Sequence, residues 1–198
     1  MTISMKKIII ELKEHNRVIE KILSDQTEKI NEIARLIINC YKNGNKVILF
    51  GNGGSAADAQ HIAAELVGKY KIERKSLPAI ALTTNTSILT SIGNDYGFDK
   101  IFERQIESLV EKGDVAIGIS TSGNSENIIK GILKAKEKEA KTIAFTGRSG
   151  GKLKDIVDIL LNISSDNTPR IQEAHITIGH IICGIVENQI FKNRKNGA

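Results

Sequence analysis

The fold of this 198-residue chain is decided by the stretch Val115-Ala116-Ile117-Gly118-Ile119-Ser120-Thr121-Ser122-Gly123-Asn124-Ser125. Its first five residues form an unbroken apolar run, which is typical of a strand buried on both faces of a parallel sheet. Its last six residues are polar and lead into a helical pattern over residues 126–139. A buried strand, a polar turn and a helix in this order form the repeating unit of α/β proteins.

Apolar runs of strand length recur on both sides of this stretch and alternate with helical patterns. The other expected strands are Val47–Phe50, Ala79–Leu82, Thr142–Phe145 and Ile159–Ile163, and helical patterns lie near residues 56–67, 98–111, 126–139 and 152–157. This alternation predicts a three-layer αβα architecture around a five-stranded parallel sheet. If the strand order is flavodoxin-like, the first and third strands are neighbours, and the turns that follow them flank one crevice.

Helical periodicity dominates both ends of the chain. Residues 1–43 show two successive helical patterns with no strand between them. Near the other end, Thr168 as N-cap and Pro169 as the first helical residue predict a long C-terminal helix. We expect a single domain over residues 1–198, with an N-terminal helical pair (1–43) and an α/β core (44–198), because this length suits one hydrophobic core.

Composition argues against several classes of partner. The net charge is +5, but aromatic residues make up only 4% of the chain and no basic stripe is interleaved with them, so no nucleic-acid surface is expected. No run approaches the ~20 apolar residues of a membrane span. Cys40 and Cys183 lie far apart in apolar surroundings, which favours buried thiols in a reducing compartment. The sequence therefore predicts a cytoplasmic protein that binds neither nucleic acid nor membrane.

The polar turn after Ile119 has the composition of an anion site. Ser120, Thr121, Ser122 and Ser125 supply four hydroxyls, and the helix that follows offers unpaired N–H groups with a partial positive charge. The alternative is a simple strand-to-helix turn in which Ser125 is only the N-cap, a role that needs one hydroxyl. Four hydroxyls favour phosphate binding.

The turn after the first strand, Gly51-Asn52-Gly53-Gly54-Ser55, is less specific. Together with Ala56 it fits the loose dinucleotide pattern G-x-G-x-x-G/A, but the second strand ends without the acidic residue that this pattern expects. The G-K-[ST] of a nucleoside triphosphate loop is missing as well. A close approach of the backbone to a small ligand explains these glycines better.

Candidate acid–base and metal-binding residues lie on two predicted helices. His61 and Glu65 are four residues apart, so they share one face of the helix that follows the glycine-rich turn. They form either an ordinary ion pair or a site for a metal or a proton. His180 lies among isoleucines on the C-terminal helix, where helical spacing selects Glu173 as its partner at least as readily as Gln172. The spacing leaves that choice open.

Several segments together resemble the signature of the phosphoheptose isomerases, a family of the SIS (sugar isomerase) fold. They are Gly51–His61 with Glu65, Gly93–Gly97, Gly118–Ser125, and Arg170–His175 with His180, in the family's order and spacing. The resemblance implies an aldose–ketose isomerase that converts sedoheptulose 7-phosphate to D-glycero-D-manno-heptose 7-phosphate at the start of heptose biosynthesis. It also implies a homotetramer with active sites at subunit interfaces.

The same resemblance implies roles for individual residues. The residues that would hold the phosphate are Ser120, Thr121, Ser122 and Ser125. Those that would contact the sugar are Asn52, Gly53, Gly54, Ser55, Glu65, Asn94, Asp95 and Gln172. One zinc ion per subunit would be bound by His61, Glu65, Gln172 and His180.

The predicted catalytic roles follow from the chemistry of aldose–ketose isomerisation. Moving a proton between C1 and C2 through an enediol needs a base at that carbon and an acid or a metal at the oxygen. Glu65 is the predicted base and His180 the predicted acid, with zinc polarising the carbonyl. Because a zinc-bound carboxylate is a poorer base, the residues leave open whether zinc is catalytic or organises the site. Two alternatives remain: a non-catalytic SIS binding module, which has no need of Glu65 with His180, and an isomerase for another sugar phosphate.

Overall fold

A computed structural model describes residues 3–192; residues 1–2 and 193–198 of the predicted domain lie outside the described part. The helices are α1 (Ile3–Asp25), α2 (Thr27–Lys42), α3 (Gly54–Val67), α4 (Thr86–Tyr96), α5 (Glu103–Leu109), α6 (Glu126–Glu137) and α7 (Thr168–Glu187). The strands are β1 (Val47–Gly51), β2 (Ala79–Ala81), β3 (Val115–Ser120), β4 (Lys141–Thr146) and β5 (Ile159–Asn162). Each predicted strand is confirmed to within one residue at either end.

The five strands form one parallel sheet in the order β2-β1-β3-β4-β5, which is the flavodoxin-like order. All six residues of β3, at the centre of the sheet, are buried. β1 and β3 are hydrogen-bonded neighbours, and Gly51 at the end of β1 lies opposite Ile119. The glycine-rich turn and the hydroxyl-rich turn therefore leave adjacent strands at the same edge of the sheet.

Side chains that alternate along the strands divide the interior into two cores, as expected for a sheet covered on both faces. Leu49 and Ile117 point to a core that they share with α1, α2, α3 and α7. Phe50 and Ala116 point to the opposite core, which they share with α5 and α6. The predicted three-layer αβα architecture, preceded by two N-terminal helices, is confirmed.

The connections contain several departures from the sequence prediction. The helix expected over 98–111 is a 3₁₀ turn, Phe98–Lys100, followed by the short α5, and the pattern at 152–157 is a 3₁₀ turn over Gly151–Asp155. Helix α4 was not predicted; none of its residues is fully buried, and its apolar face, formed by Leu89 and Ile92 against the core of α5 and α6, is narrow. The N-cap of α7 is Asn167, which makes Thr168 the first helical residue and moves the predicted boundary by one.

Two predictions from composition can be compared with this structure. Cys40 and Cys183 are both free and buried, as predicted, and burial raises the pKa of each thiol to about 12. Within residues 3–192, no helix combines the length and the apolar character that crossing a membrane requires.

Candidate active site

The candidate site lies at the edge of the sheet where β1 and β3 end. The chain continues from β1 into α3 and from β3 into α6, and these helices pack in opposite cores. The two turns therefore leave neighbouring strands toward opposite faces of the sheet, the position at which open α/β sheets form a ligand crevice.

The hydroxyl-rich turn brings two of its hydroxyls together instead of using one of them as a helix cap. Ser125 occupies the N-cap position of α6, but its side chain caps no backbone N–H group. Its Oγ atom instead lies 3.0 Å from Oγ of Ser120, so two of the hydroxyls are grouped at the start of the helix. Gly123 has a φ of +66°, and a Cβ atom there would overlap the carbonyl oxygen of Gly150. The turn is thus held tightly against the chain that follows β4.

The glycine-rich turn is closed by α7. Gly53 has a φ of +56°, a backbone conformation that favours glycine, and it directly precedes α3. A Cβ atom on Gly54 would lie 2.7 Å from Oε1 of Gln172, so the Gln172 carboxamide packs directly over this turn. Ser55 is only 3% exposed, which makes it the least accessible of the residues expected to contact the sugar in this turn.

Three potential metal ligands converge between α3 and α7. Nε2 of His61 lies 3.3 Å from Oε1 of Glu65 and 3.3 Å from Nε2 of His180, and the remaining separation, from His180 to Glu65, is 4.0 Å. Zinc bonds of about 2.0–2.1 Å place tetrahedral ligand atoms roughly 3.3 Å apart. Two of the three separations already have this value, so the donor set fits a zinc ion.

Close packing of the two helices brings these residues together. A Cβ atom on Gly179 would lie 2.7 Å from Cδ1 of Ile62, so only a glycine lets α7 approach α3 this closely. The next residue along α7 is His180, and the residue before Ile62 is His61. The contact between Gly179 and Ile62 therefore sets the spacing between the two imidazoles.

The aromatic ring of Tyr70 forms one wall of this cluster. It stacks on the imidazole of His180 with ring centroids 5.7 Å apart and an interplanar angle of 21°.

On α3, one turn before His61, burial raises the pKa of Asp58 to about 6, although the nearby His61 acts in the opposite direction. Oδ2 of Asp58 is buried and has no hydrogen-bond partner within residues 3–192.

His175 serves the core rather than this cluster. It is fully buried, and its Nε2 atom lies 3.1 Å from the carbonyl oxygen of Thr146. Burial lowers the pKa of His175 to about 4, which keeps the ring neutral and able to donate to that carbonyl.

An ion pair behind the cluster was not predicted from the sequence. The Glu187 carboxylate accepts hydrogen bonds from three consecutive backbone N–H groups, those of residues 70–72, and from Nε of Arg74 at 3.0 Å. Arg74 in turn donates to the backbone carbonyl of Glu65 at 2.8 Å. Both side chains are almost fully buried. The sequence did contain a signal, because Glu187 ends an otherwise apolar stretch of α7.

Two of the predicted sugar contacts are not brought to the cluster. Asn94 and Asp95 lie at the carboxyl end of α4, are exposed, and are joined by a hydrogen bond of 2.8 Å from Nδ2 of Asn94 to Oδ1 of Asp95. Across the described range 3–192, no hydrogen bond links either of them to the other predicted site residues. Their role as sugar contacts stays a prediction.

Known proteins share the fold and much of the sequence of this chain. The sequence profile of the SIS domain matches residues 12–147, so the chain is an SIS-domain protein. The phosphoheptose isomerase of Aquifex aeolicus is 62% identical over 163 residues, which cover 82% of this chain and 85% of that protein. The solved phosphoheptose isomerase from Neisseria gonorrhoeae superposes with a TM-score of 0.89 at 43% identity, covering 93% of this chain and 98% of the other. The corresponding structure from Francisella tularensis gives a TM-score of 0.92 at 38% identity, covering 95% and 100%.

The likenesses to the two solved structures cover 93% and 95% of this chain. The chain belongs to the phosphoheptose isomerase family, and its fold class and its classification as an isomerase are those predicted from the sequence.

Proposed function

We propose that this protein interconverts sedoheptulose 7-phosphate and D-glycero-D-manno-heptose 7-phosphate through an enediol, as an early step of heptose synthesis. The observation that carries the proposal is the convergence of His61, Glu65 and His180 next to the ligand crevice of a phosphoheptose isomerase fold. A binding module would need the crevice but has no use for a carboxylate and two imidazoles within contact distance.

The hydroxyl-rich turn is the proposed phosphate site. The paired hydroxyls of Ser120 and Ser125 at the amino end of α6 support this role, since a helix start favours an anion. Thr121 and Ser122 would complete the set of donors. A sugar chain anchored here would extend toward Asn52, Gly53 and Gly54, with Ser55, Asn94 and Asp95 as further proposed contacts.

Glu65 is the proposed base, and His180 the proposed acid. The carboxylate of Glu65 would take the proton from one carbon and return it to the other, while His180 would exchange a proton with the sugar oxygens. The stacked ring of Tyr70 supports this assignment because it fixes the plane of the His180 imidazole. The hydrogen bond from Arg74 to the backbone carbonyl of Glu65 also supports this assignment, because it holds the backbone of the proposed base in place.

We further propose that His61, Glu65 and His180 hold one zinc ion per subunit, with Gln172 as a fourth ligand. The separations of the three donors fit such an ion, and a carboxylate with two imidazoles is a suitable zinc donor set. When bound, zinc would polarise the substrate carbonyl as a Lewis acid. Gln172 lies against Gly54 at the glycine-rich turn, which supports its proposed contact with the sugar.

A homotetramer with sites at subunit interfaces, in the cytoplasm, completes the proposal. Exposed apolar side chains on α1 (Ile10, Leu12 and Leu23) and on α7 (Ile181) support self-association, because large apolar side chains at a surface favour a partner. The two free thiols support a reducing compartment.

The decisive experiment incubates the purified protein with sedoheptulose 7-phosphate in deuterium oxide and follows the products by NMR. We expect an aldoheptose 7-phosphate that carries solvent deuterium at C2, because the proton that the base removes from C1 exchanges with deuterium oxide before the base delivers it to C2. Unphosphorylated sedoheptulose and fructose 6-phosphate serve as controls for the phosphate requirement and for another sugar phosphate. Binding of sedoheptulose 7-phosphate with neither turnover nor deuterium exchange would instead favour the binding module.

A further inference from the structure

The two turns of the crevice are joined by a reciprocal pair of side-chain amides. Nδ2 of Asn52, in the glycine-rich turn, donates to Oδ1 of Asn127 at 2.9 Å, and Nδ2 of Asn127 donates to Oδ1 of Asn52 at the same distance. Asn127 is the second residue of α6 and is only 3% exposed. Asn52 is half-buried.

This pairing fixes which way the Asn52 amide faces. Oδ1 of Asn127 also accepts from the backbone N–H of Ile128 at 3.0 Å, which sets the orientation of the Asn127 carboxamide. If the Asn52 carboxamide then turned by 180°, nitrogen would lie opposite nitrogen and oxygen opposite oxygen, and both hydrogen bonds would be lost. The second N–H of Asn52 has no partner within residues 3–192, so it remains available to a ligand in the crevice. A buried amide whose partner is lost pays a desolvation cost, so the pair resists opening.

The pairing also joins the two proposed halves of the substrate site. Asn127 lies two residues after Ser125, whose hydroxyl meets that of Ser120, while Asn52 directly precedes Gly53. One contact therefore sets the distance between the phosphate end and the sugar end of the crevice.

We propose that Asn127 is a positioning residue of the isomerase site, which orients the Asn52 amide toward the sugar and holds the glycine-rich turn at a fixed distance from the hydroxyl-rich turn. The inference rests on the proposed function, in that it assigns the sugar to Asn52 and the phosphate to the hydroxyl-rich turn.

The test compares Asn127→Ala with Gln105→Ala. Gln105 is a matched control because it is a buried amide that donates only to the backbone carbonyls of Leu82 and Ile101. Titration calorimetry gives the dissociation constants of sedoheptulose 7-phosphate and of inorganic phosphate for each protein. We expect Asn127→Ala to weaken the sugar phosphate about 10-fold while changing inorganic phosphate less than ~3-fold, because the Asn52 amide would no longer be oriented to donate its hydrogen bond to the sugar. Gln105→Ala should lower thermal stability and leave the ratio of the two constants unchanged.

A double-mutant cycle with Asn52→Ala separates positioning from general destabilisation. If Asn127 acts through Asn52, the double variant should bind the sugar phosphate no more weakly than Asn52→Ala alone, within ~2-fold. Two outcomes would each overturn the inference. One is a double variant whose loss of affinity is the product of the two single losses. The other is an Asn127→Ala variant in which the affinities for sedoheptulose 7-phosphate and inorganic phosphate fall equally, so that their ratio is unchanged.

Asn127→Asp keeps the test available if the alanine variant does not fold. A carboxylate accepts from Nδ2 of Asn52 but cannot donate to its oxygen, so sugar-phosphate affinity should fall at neutral pH. The gap to the wild-type protein should narrow as the pH falls and the acid regains a donor, and a gap that does not change with pH would contradict the inference. If the wild-type protein binds sedoheptulose 7-phosphate without converting it, the proposed function fails, yet the ratio of affinities still tests Asn127.

Discussion

Replacing Glu187 by glutamine measures how strongly the buried ion pair holds the site together. Glutamine keeps the shape of the side chain but cannot accept from all four donors that now meet the carboxylate, the three backbone N–H groups of residues 70–72 and Nε of Arg74. The guanidinium of Arg74 would then be buried without its counter-charge, since the exposed fractions of the two side chains are 1% and 2%.

Breaking a buried pair in this way costs about 3–5 kcal/mol of the free energy of unfolding. For a chain of 198 residues, an unfolding entropy of about 2.1 cal/mol/K per residue converts this loss to a melting temperature roughly 10 °C lower. Turnover should also fall at a temperature where both proteins are fully folded, so the loss of activity is not explained by unfolding alone. The reason is that Arg74 supports the backbone of Glu65, and the same loop carries Tyr70 against His180.

The effect should depend on pH in a defined direction. Burial alone would raise the pKa of Glu187, but hydrogen bonds from the backbone N–H groups of Tyr70 and Lys71 and from Arg74 outweigh it and lower the pKa below 4.5. A carboxyl whose pKa is lowered in the folded state stabilises at neutral pH and loses that contribution as the pH falls through the folded-state value. The difference in stability between the wild-type protein and Glu187→Gln should therefore shrink below about pH 4.5.

Differential scanning calorimetry gives the melting temperature and its dependence on pH, and an isomerase assay gives the turnover. The control is Glu73→Gln, which removes an exposed ion pair with Lys69 in the same loop and should leave the melting temperature within experimental error. A melting temperature within ~2 °C of wild type for Glu187→Gln, with unchanged turnover, would refute the idea that this pair supports the site.

Three further predictions concern the proposed chemistry. Glu65→Gln should lower turnover by about 10²–10⁴-fold with near-normal stability, because the amide keeps the shape but cannot take a proton; turnover within a few-fold of wild type would exclude Glu65 as the base. Ser120→Ala combined with Ser122→Ala should mainly weaken sugar-phosphate binding, with some loss of turnover, and unchanged affinity by calorimetry would place the phosphate elsewhere. His61→Ala should lower zinc content and activity together in protein purified without chelators, and full activity of exhaustively chelated wild-type protein would leave His61 only a hydrogen-bonding role.

The parts of the fold that follow from local patterns were predictable. Short apolar runs predicted each strand, most clearly the unbroken run of β3, which is buried on both faces and has no solvent side. Helix α4 and the interrupted segment after it were not, since α4 has no fully buried residue and presents only the narrow apolar face of Leu89 and Ile92. Tyr70, Arg74 and Asn127 were missed for a different reason. Their contacts with Asn52, His180 and Glu187 span 75 to 117 positions of sequence, which no local spacing encodes.

The partner of His180 shows where helical spacing stops being informative. Glu173, His180 and Glu187 follow one another at intervals of seven residues along α7. Because an α-helix has 3.6 residues per turn, residues at this interval lie on nearly one line along the helix. Seven residues also correspond to about 10.5 Å of rise, which is too far for neighbours on that line to meet. Each one instead contacts a different element: Glu173 pairs with His15 of α1 at 2.8 Å, His180 meets His61 of α3, and Glu187 binds Arg74. A shared face of a helix therefore indicates a common direction, and the elements packed along that direction decide which groups come together.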